Sequence, residues 1–449
     1  MCASFASGNV TGGKQMKETI GMRAFSIFLA ALLVSGTMVP AVSAENESRG
    51  WLDTFDQWVE PRDMSMYTPV IEAPQRVPIT EEIARQHPGV IILDPKRVSE
   101  FQMIDADVVP TSPGKVSLTL QAESSDLGTR DLMPDVRMTQ GTISWYWTQD
   151  TFVYHEITIH NYASSAASGM VILWSLKDGY GCGVPFSDLA AGADLTVTVP
   201  FEVLPQHSSI GIKPMAVEIR VDPTGLTSWM ARMPIDAIEK YNNDASHLFD
   251  PDSGENLETS DLYHFPFSEG YRVLLEAAQA ADGTTEPYQS AYEIMQRVHD
   301  MMEYNNETMY VEYIFSDLYT LDHPSPINGK YQGVCDEYGT LYTAFARALG
   351  IPTRFLSFTM RLPSGNITGH AIAESWNGTT WVHSDPPWNV FDNPQVYRTA
   401  GNDHINITVY GDADDSHYTQ DPNDPTGDGI LRYEDFRTQI LLGEVPRYN

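Results

Sequence analysis

Cysteine is almost absent: the 449-residue chain holds three, Cys2, Cys182 and Cys335. That excludes a small disulfide-stapled scaffold and a zinc ribbon built from paired Cys-x-x-Cys. Basic charge is also scarce, with 27 Lys and Arg against 60 Asp and Glu and a formal net charge of −33. Such a surface repels polyanions, so no nucleic-acid partner is expected, and anionic lipid surfaces are disfavoured for the same reason. No glycine-rich phosphate loop follows a strand-like run, which removes the usual sign of nucleotide chemistry. Beyond the first 44 residues no stretch is long and apolar enough to cross a bilayer.

What is present begins with those first residues. From Met16 the sequence passes from Lys17 and Arg23 through an apolar core at 24–34 to Ala41-Val42-Ser43-Ala44. Charge, apolar core and small residues in that order predict a secretory signal over 1–44, cleaved after Ala44. Met16 and Met22 stand as alternative starts. An uncleaved membrane anchor is the competing reading, weakened by the short core and by Gly36 and Pro40. The mature chain is expected to be secreted and extracellular. With Cys2 removed, Cys182 and Cys335 remain; they could pair in an oxidising exterior, or Cys335 could be a reactive thiol.

Prolines at 61, 69, 74, 78, 88, 95 and 110 predict an extended leader over 45–110, with one short helix near 81–86. Residues 111–235 read differently, as short runs rich in valine, threonine and aromatics at 116–121, 141–147, 152–160, 169–174, 195–199 and 216–221. Alternation with turn residues between the runs predicts an antiparallel β-sandwich, taken as an accessory domain. Trp145, Trp147, Tyr154 and Trp174 are candidates for a carbohydrate or cell-surface contact, against the ordinary reading of aromatics as core. Helical periodicity begins past residue 260, with Tyr271, Leu274, Leu275 and Ala278, then Ala291, Ile294, Met295, Val298, Met301 and Met302. The methionines read as core filling.

The chemistry gathers around Gly333-Val334-Cys335-Asp336-Glu337-Tyr338-Gly339. Leu341, Tyr342, Phe345 and Leu349 form one helix face, closed by Gly350-Ile351-Pro352, so Cys335 falls in the first turn of a helix. There the helix dipole favours a thiolate, and with a histidine partner the thiol pKa is expected to drop from ~8.5 toward ~4–7, although Asp336 and Glu337 oppose it. Downstream, His370 and Asp385 lie on two strand-like runs separated by Asn377-Gly378. Asn-Gly is the strongest short signal for a two-residue type I′ turn, and that register sets His370 directly opposite Asp385 on one face. Thiol, imidazole and carboxylate in this order are the parts of a nucleophile, its base and the base's orienter. The Cys335 backbone N–H is the natural oxyanion donor and Gln332 a candidate second.

Gln332-Gly-Val-Cys335-Asp-Glu-Tyr, Phe345-Ala-Arg-Ala-Leu-Gly-Ile-Pro-Thr-Arg354, Gly369-His370-Ala and Trp381-Val-His-Ser-Asp385-Pro together resemble the transglutaminase-like superfamily over about 285–410. The resemblance implies a papain-like α+β core, here placed at 260–410, with a Cys-His-Asp triad on Cys335, His370 and Asp385. Ile372, where the family often has an aromatic, and Pro387, where a Thr or Ser often follows Asp-Pro, depart from its pattern without removing a triad member. The family includes cross-linking transferases, peptidases, isopeptidases and a deglycosylating amidase. Two other readings stand beside it: a metal site from Cys335, His370, His383 and Asp385, which lacks paired ligand spacing, and a silent binding module on the same fold.

The tail, 411–449, carries Asp424, Thr426, Asp428, Ile430 and Asp435 at positions 1, 3, 5, 7 and 12 of a loop with Gly429 at position 6. This is the pattern of an EF-hand-type calcium loop and resembles a single dockerin-type repeat, with Asp in place of Glu at position 12 and Arg432 at position 9. An acidic solvated turn is the alternative. The combined expectation is an exported thiol enzyme that attacks amide bonds of a protein or peptide substrate through a Cys335 thioester resolved by water, a peptidase or amidase. Transfer to an amine is the alternative. No cofactor is required, and calcium is the one ion the sequence suggests.

Overall fold

The computed structural model describes residues 71, 76–112, 114–120, 135–242, 271–305, 317–361, 367–393 and 403–410. The predicted signal and the predicted calcium loop (Asp424, Thr426, Asp428, Ile430 and Asp435) lie outside these residues. No helix among the described residues is long and apolar enough to cross a membrane.

Chain order starts with a short helix, α1 (Glu81–Gln86), whose N-cap Thr80 accepts from the Ile83 N–H and whose first turn carries the acids that suit a helix start. Two sheets follow. One has the order β1-β8-β7-β10-β11-β5, from Val90–Ile92, Tyr180–Leu189, Ala167–Ser175, Gly211–Val221, Leu226–Lys240 and Tyr146–Thr148. The other has the order β2-β3-β4-β6-β9, from Ala106–Ser112, Lys115–Leu120, Val136–Ser144, Phe152–Asn161 and Asp194–Glu202. Side chains alternate along β6, with Val153, His155 and Ile157 inward and Phe152, Tyr154 and Glu156 outward, as a strand with one covered face requires. Leu118, Ile143 and Ile157 of the second sheet join Val171, Leu173, Val217 and Ile219 of the first in one apolar cluster.

Three expectations are corrected here. The leader expected over 45–110 is folded in its described second half, because β1 pairs with β8 and β2 with β3. The β region therefore extends beyond 111–235 at both ends, from Val90 to Lys240. It is not wholly antiparallel either, since β5 runs parallel to β11. As for the aromatic platform, Trp147 and Trp174 are completely buried. Trp147 stacks on Phe201 at 4.4 Å and the Trp174 indole donates to Glu218, whereas Tyr154 is 57% exposed. Cys182 and Cys335 are not bridged.

The second region is built on helices α2 (Tyr271–Ala280), α3 (Pro287–Met301), α4 (Asp317–Asp322) and α5 (Cys335–Ala348). With them go the short parallel pair β12 (Met302–Tyr304) and β13 (Tyr331–Gly333), and a sheet of order β17-β16-β15-β14-β18. Its strands are Val390–Phe391, Trp381–Asp385, Ile367–Trp376, Thr353–Arg361 and Asp403–Tyr410. The periodic apolar residues of α5, Leu341, Tyr342, Phe345 and Leu349, meet Val273 and Leu274 of α2 and Ile294, Met295 and Val298 of α3 in one core. The opposite side of α5 lies so close to the sheet that a Cβ on Gly339 would stand 2.7 Å from the Phe355 ring. Gly350 ends the helix at φ +80°, and a Cβ there would be 2.7 Å from the Tyr241 carbonyl, so both its conformation and its neighbour demand glycine. Tyr241 belongs to the seam between the regions: it joins the same core with Ile210 and Ile238, and its hydroxyl bonds Ser290 at 2.7 Å.

Candidate active site

Cys335 opens α5 as the sequence predicts, following Val334, whose backbone N–H is taken by the Glu337 carboxylate at 2.8 Å. This fixes the first turn from inside the helix, and it explains why an acid two residues after the thiol is tolerated there. The thiol itself is buried among Phe355 and Ala371. The backbone N–H of Ala371, the residue after His370, is directed at it, and it donates to Asp336 Oδ1 at 3.8 Å.

The imidazole and the carboxylate are joined directly: His370 Nε2 donates to Asp385 Oδ2 at 2.9 Å, with both side chains buried. The pairing that brings them together differs from the expected one. Asn377 and Gly378 do not form a two-residue turn; the connection has four residues, and Trp376 pairs with Trp381 instead of Thr379. The cause is the Asn377 side chain, whose Oδ1 accepts from the backbone N–H groups of Thr379 and Thr380, each at 2.9 Å, while the Asn377 backbone N–H donates to the Thr380 carbonyl. An asparagine that caps its own loop in this way makes a longer turn as satisfied as a tight one. The register is thus displaced by two residues. His370 pairs on the ladder with Phe358 of β14 and Asp385 with Val390 of β17, so they are not directly opposed. A displacement by an even number leaves every side chain on its original face, and the two side chains meet across the diagonal.

Asp385 has a second task. Its Oδ1 accepts from the Trp388 N–H at 3.3 Å, closing the turn Pro386–Trp388. That turn lays the buried Trp388 over the His370 ring, centroids 5.4 Å apart. Helix α3 braces it from behind, with His299 Nδ1 against the Pro386 carbonyl at 2.8 Å and Gln296 donating to Asn389 at 2.5 Å. A further buried chain ties α5 to these strands: Ser384 donates to the Tyr342 hydroxyl at 2.8 Å, and Tyr342 meets Ser375 at 2.7 Å.

Electrostatics at the thiol run against the expectation of a depressed pKa. Burial pushes Cys335 well above its ordinary value, and the Asp336, Glu337 and Asp385 carboxylates push the same way, with only the Ala371 N–H opposing them. Burial outweighs the helix start because it acts on the whole charge of a thiolate, while the dipole supplies a fraction of one. Asp336 is itself pushed up to about 6 by burial, against the pull of His370 and of the thiol. Gln332 sits on β13 beside Glu303, its carboxamide oxygen accepting from Asn305 at 3.1 Å. His383 is buried on β16 with Glu374 as its ladder partner, and among the described residues no group of His, Cys, Asp and Glu is arranged to hold a metal ion. Trp388 and Tyr304 escape a reading of motifs. Asp336, adjacent to the thiol, opposes the thiolate as the sequence suggests.

Residues 276–386 match the model of the transglutaminase-like superfamily. No curated protein matches the sequence. Among solved structures, the chain is similar to the transglutaminase of red sea bream, at 12% identity and TM-score 0.34, over 53% of this chain and 48% of that one, about half its length. It is also similar to a protein of Cytophaga hutchinsonii provisionally described as a cysteine protease, at 13% identity and TM-score 0.24, over 57% and 88% of the two chains. A protein of Parabacteroides distasonis provisionally described as a protease matches at 10% identity and TM-score 0.24, over 59% and 68%.

Proposed function

Because the chain carries a transglutaminase-like domain at 276–386, we propose that it is an exported cysteine hydrolase, a peptidase or amidase acting on a protein or peptide substrate. The observation that carries this reading is the buried 2.9 Å bond between His370 and Asp385 beside the helix that Cys335 opens. In the proposed reaction Cys335 Sγ attacks the amide carbonyl. With His370 Nε2 engaged by Asp385, Nδ1 takes the thiol proton and later delivers it to the leaving amine. Since burial holds the resting thiol neutral, proton transfer accompanies attack instead of preceding it. Asp385 stabilises the imidazolium so formed and fixes its ring, and Trp388 keeps water off that face of the pair. Water then resolves the thioester, and no cofactor enters any step.

Export rests on the charged, apolar and small-residue segments at 16–44, and the two-sheet region is read as an accessory β-sandwich. Calcium at the loop of Asp424, Thr426, Asp428, Ile430 and Asp435 is a proposal about the tail alone. The test is to incubate the protein with a glutamine-bearing peptide and a labelled amine, with and without calcium. Release of ammonia with little amine incorporation is expected; dominant incorporation would make the enzyme an acyltransferase, and no reaction of either kind on any amide would remove the enzymatic reading.

A further inference from the structure

The Tyr304 hydroxyl is buried and makes no hydrogen bond among the described residues. Buried hydroxyls are nearly always paired, so an orphan next to a reacting centre calls for a reason. Its surroundings supply one. The backbone N–H of Cys335 points at this hydroxyl without closing a hydrogen bond to it. Tyr304 is held there by the β12–β13 pair and by a ring contact with α5 itself. It lies beside Gly333 in the parallel β12–β13 pair, the next residue's N–H donates to the Gly333 carbonyl at 3.0 Å, and its ring tilts against Tyr338 with centroids 6.1 Å apart. Burial raises its pKa first, and any charge that develops on Cys335 or Asp336 raises it further. The group therefore stays a protonated donor throughout the working range.

We propose that the Tyr304 hydroxyl is a catalytic residue, the second donor of the oxyanion hole with the Cys335 N–H, in the place the sequence suggested for Gln332. The assignment rests on the thioester reading. As the Cys335 Sγ–carbon bond forms, the thiol proton passes to His370 and the carbonyl π pair moves onto oxygen; that oxygen accepts from the Cys335 N–H and the Tyr304 O–H together. On collapse the pair returns, the bond to the leaving group breaks, and the His370 proton leaves with that group. A donor poised for charge that exists only in the transition state is unpaired at rest, as this one is.

Two reagents separate this role from any other. 4-Nitrophenyl acetate acylates a thiol through a tetrahedral oxyanion, while iodoacetamide alkylates it by displacement at saturated carbon with no oxyanion. Tyr304→Phe is expected to slow acylation of Cys335 by about 10²–10³-fold and to leave alkylation unchanged. Removing an unsatisfied buried oxygen should also leave the melting temperature equal or higher. Equal or faster acylation would make the hydroxyl a spectator or a plug, a parallel loss of alkylation would place its action on the thiol, and a lower melting temperature would show that it is bonded; each overturns the assignment. A parent protein alkylated at Cys335 but inert to the ester would instead remove the thioester reading itself, and the assignment with it.

Discussion

Lys213, Asp178 and Glu239 in the β region are as deeply buried as His370, Asp385 and Cys335 in the helical region, yet the two sets are finished differently. The Lys213 ammonium donates to Asp178 at 2.8 Å and to Ser209 at 3.2 Å, and forms an ion pair with Glu239 Oε2 at 3.4 Å. Ser175 and Arg76 also donate to Asp178, and Gln149 and Ser208 donate to Glu239 Oε1, which leaves Oε2 with the ion pair alone. At the other site the thiol faces three carboxylates and an unpaired hydroxyl lies beside it. A buried set whose charges are paired within the chain holds the chain together. One left mismatched stores a need that another molecule can meet, and the contrast between the two is the physical ground for reading only the second as an active site.

The comparison breaks most visibly at Asp385. Asp385→Asn keeps the side chain's size but presents the wrong partner to His370 Nε2, and loss of the corresponding carboxylate in the related serine triad costs up to ~10⁴-fold in turnover. Acylation kinetics should show a fall approaching that size, with circular dichroism unchanged. A loss under ten-fold would mean that the pair is structural, like the lysine cluster. Lys213→Met is the mirror experiment. It leaves Asp178 and Glu239 buried without their cation, so it should destabilise the fold by about 3–5 kcal/mol in urea titration. The acylation rate of the folded variant should equal the parent's; a rate loss would merge the two sites.

Asp336 gives the smallest and sharpest effect. Its carboxyl titrates at about 6. Below that pH it is neutral and indifferent to a thiolate; above it the charge opposes ionisation of Cys335. Asp336→Asn should therefore speed alkylation of Cys335 above pH of about 6, by roughly ten-fold for each unit the thiol pKa falls. The two proteins should converge at lower pH. Equal rates at all pH values would show that solvent screens the pair.

These particulars also mark what could be read in advance. The start of α5 was legible because its apolar face and the Gly350-Ile351-Pro352 stop are local signals. That His370 and Asp385 share a face was legible too, since alternation survives an even error in register. The register itself was not, because Asn377 spends its side chain on the loop. The edge strands β1 and β2 were hidden by prolines: Pro88 and Pro95 flank the three-residue β1, and Pro110 lies within β2 at the rim of its sheet, where proline is tolerated. The protonation of the thiol was out of reach because it depends on what covers Cys335, as did Tyr304, which reaches the site only through the pairing of β12 with β13.

The central claim is that Cys335 forms a thioester with His370 as its base, and acyl trapping tests it most directly. The parent protein is mixed with 4-nitrophenyl acetate, quenched in acid and mapped by peptide mass spectrometry. The account predicts one acetyl group, on Cys335, absent in Cys335→Ala and greatly slowed in His370→Ala. Acetylation elsewhere with Cys335 untouched, or ester turnover in Cys335→Ala equal to the parent's, would contradict it.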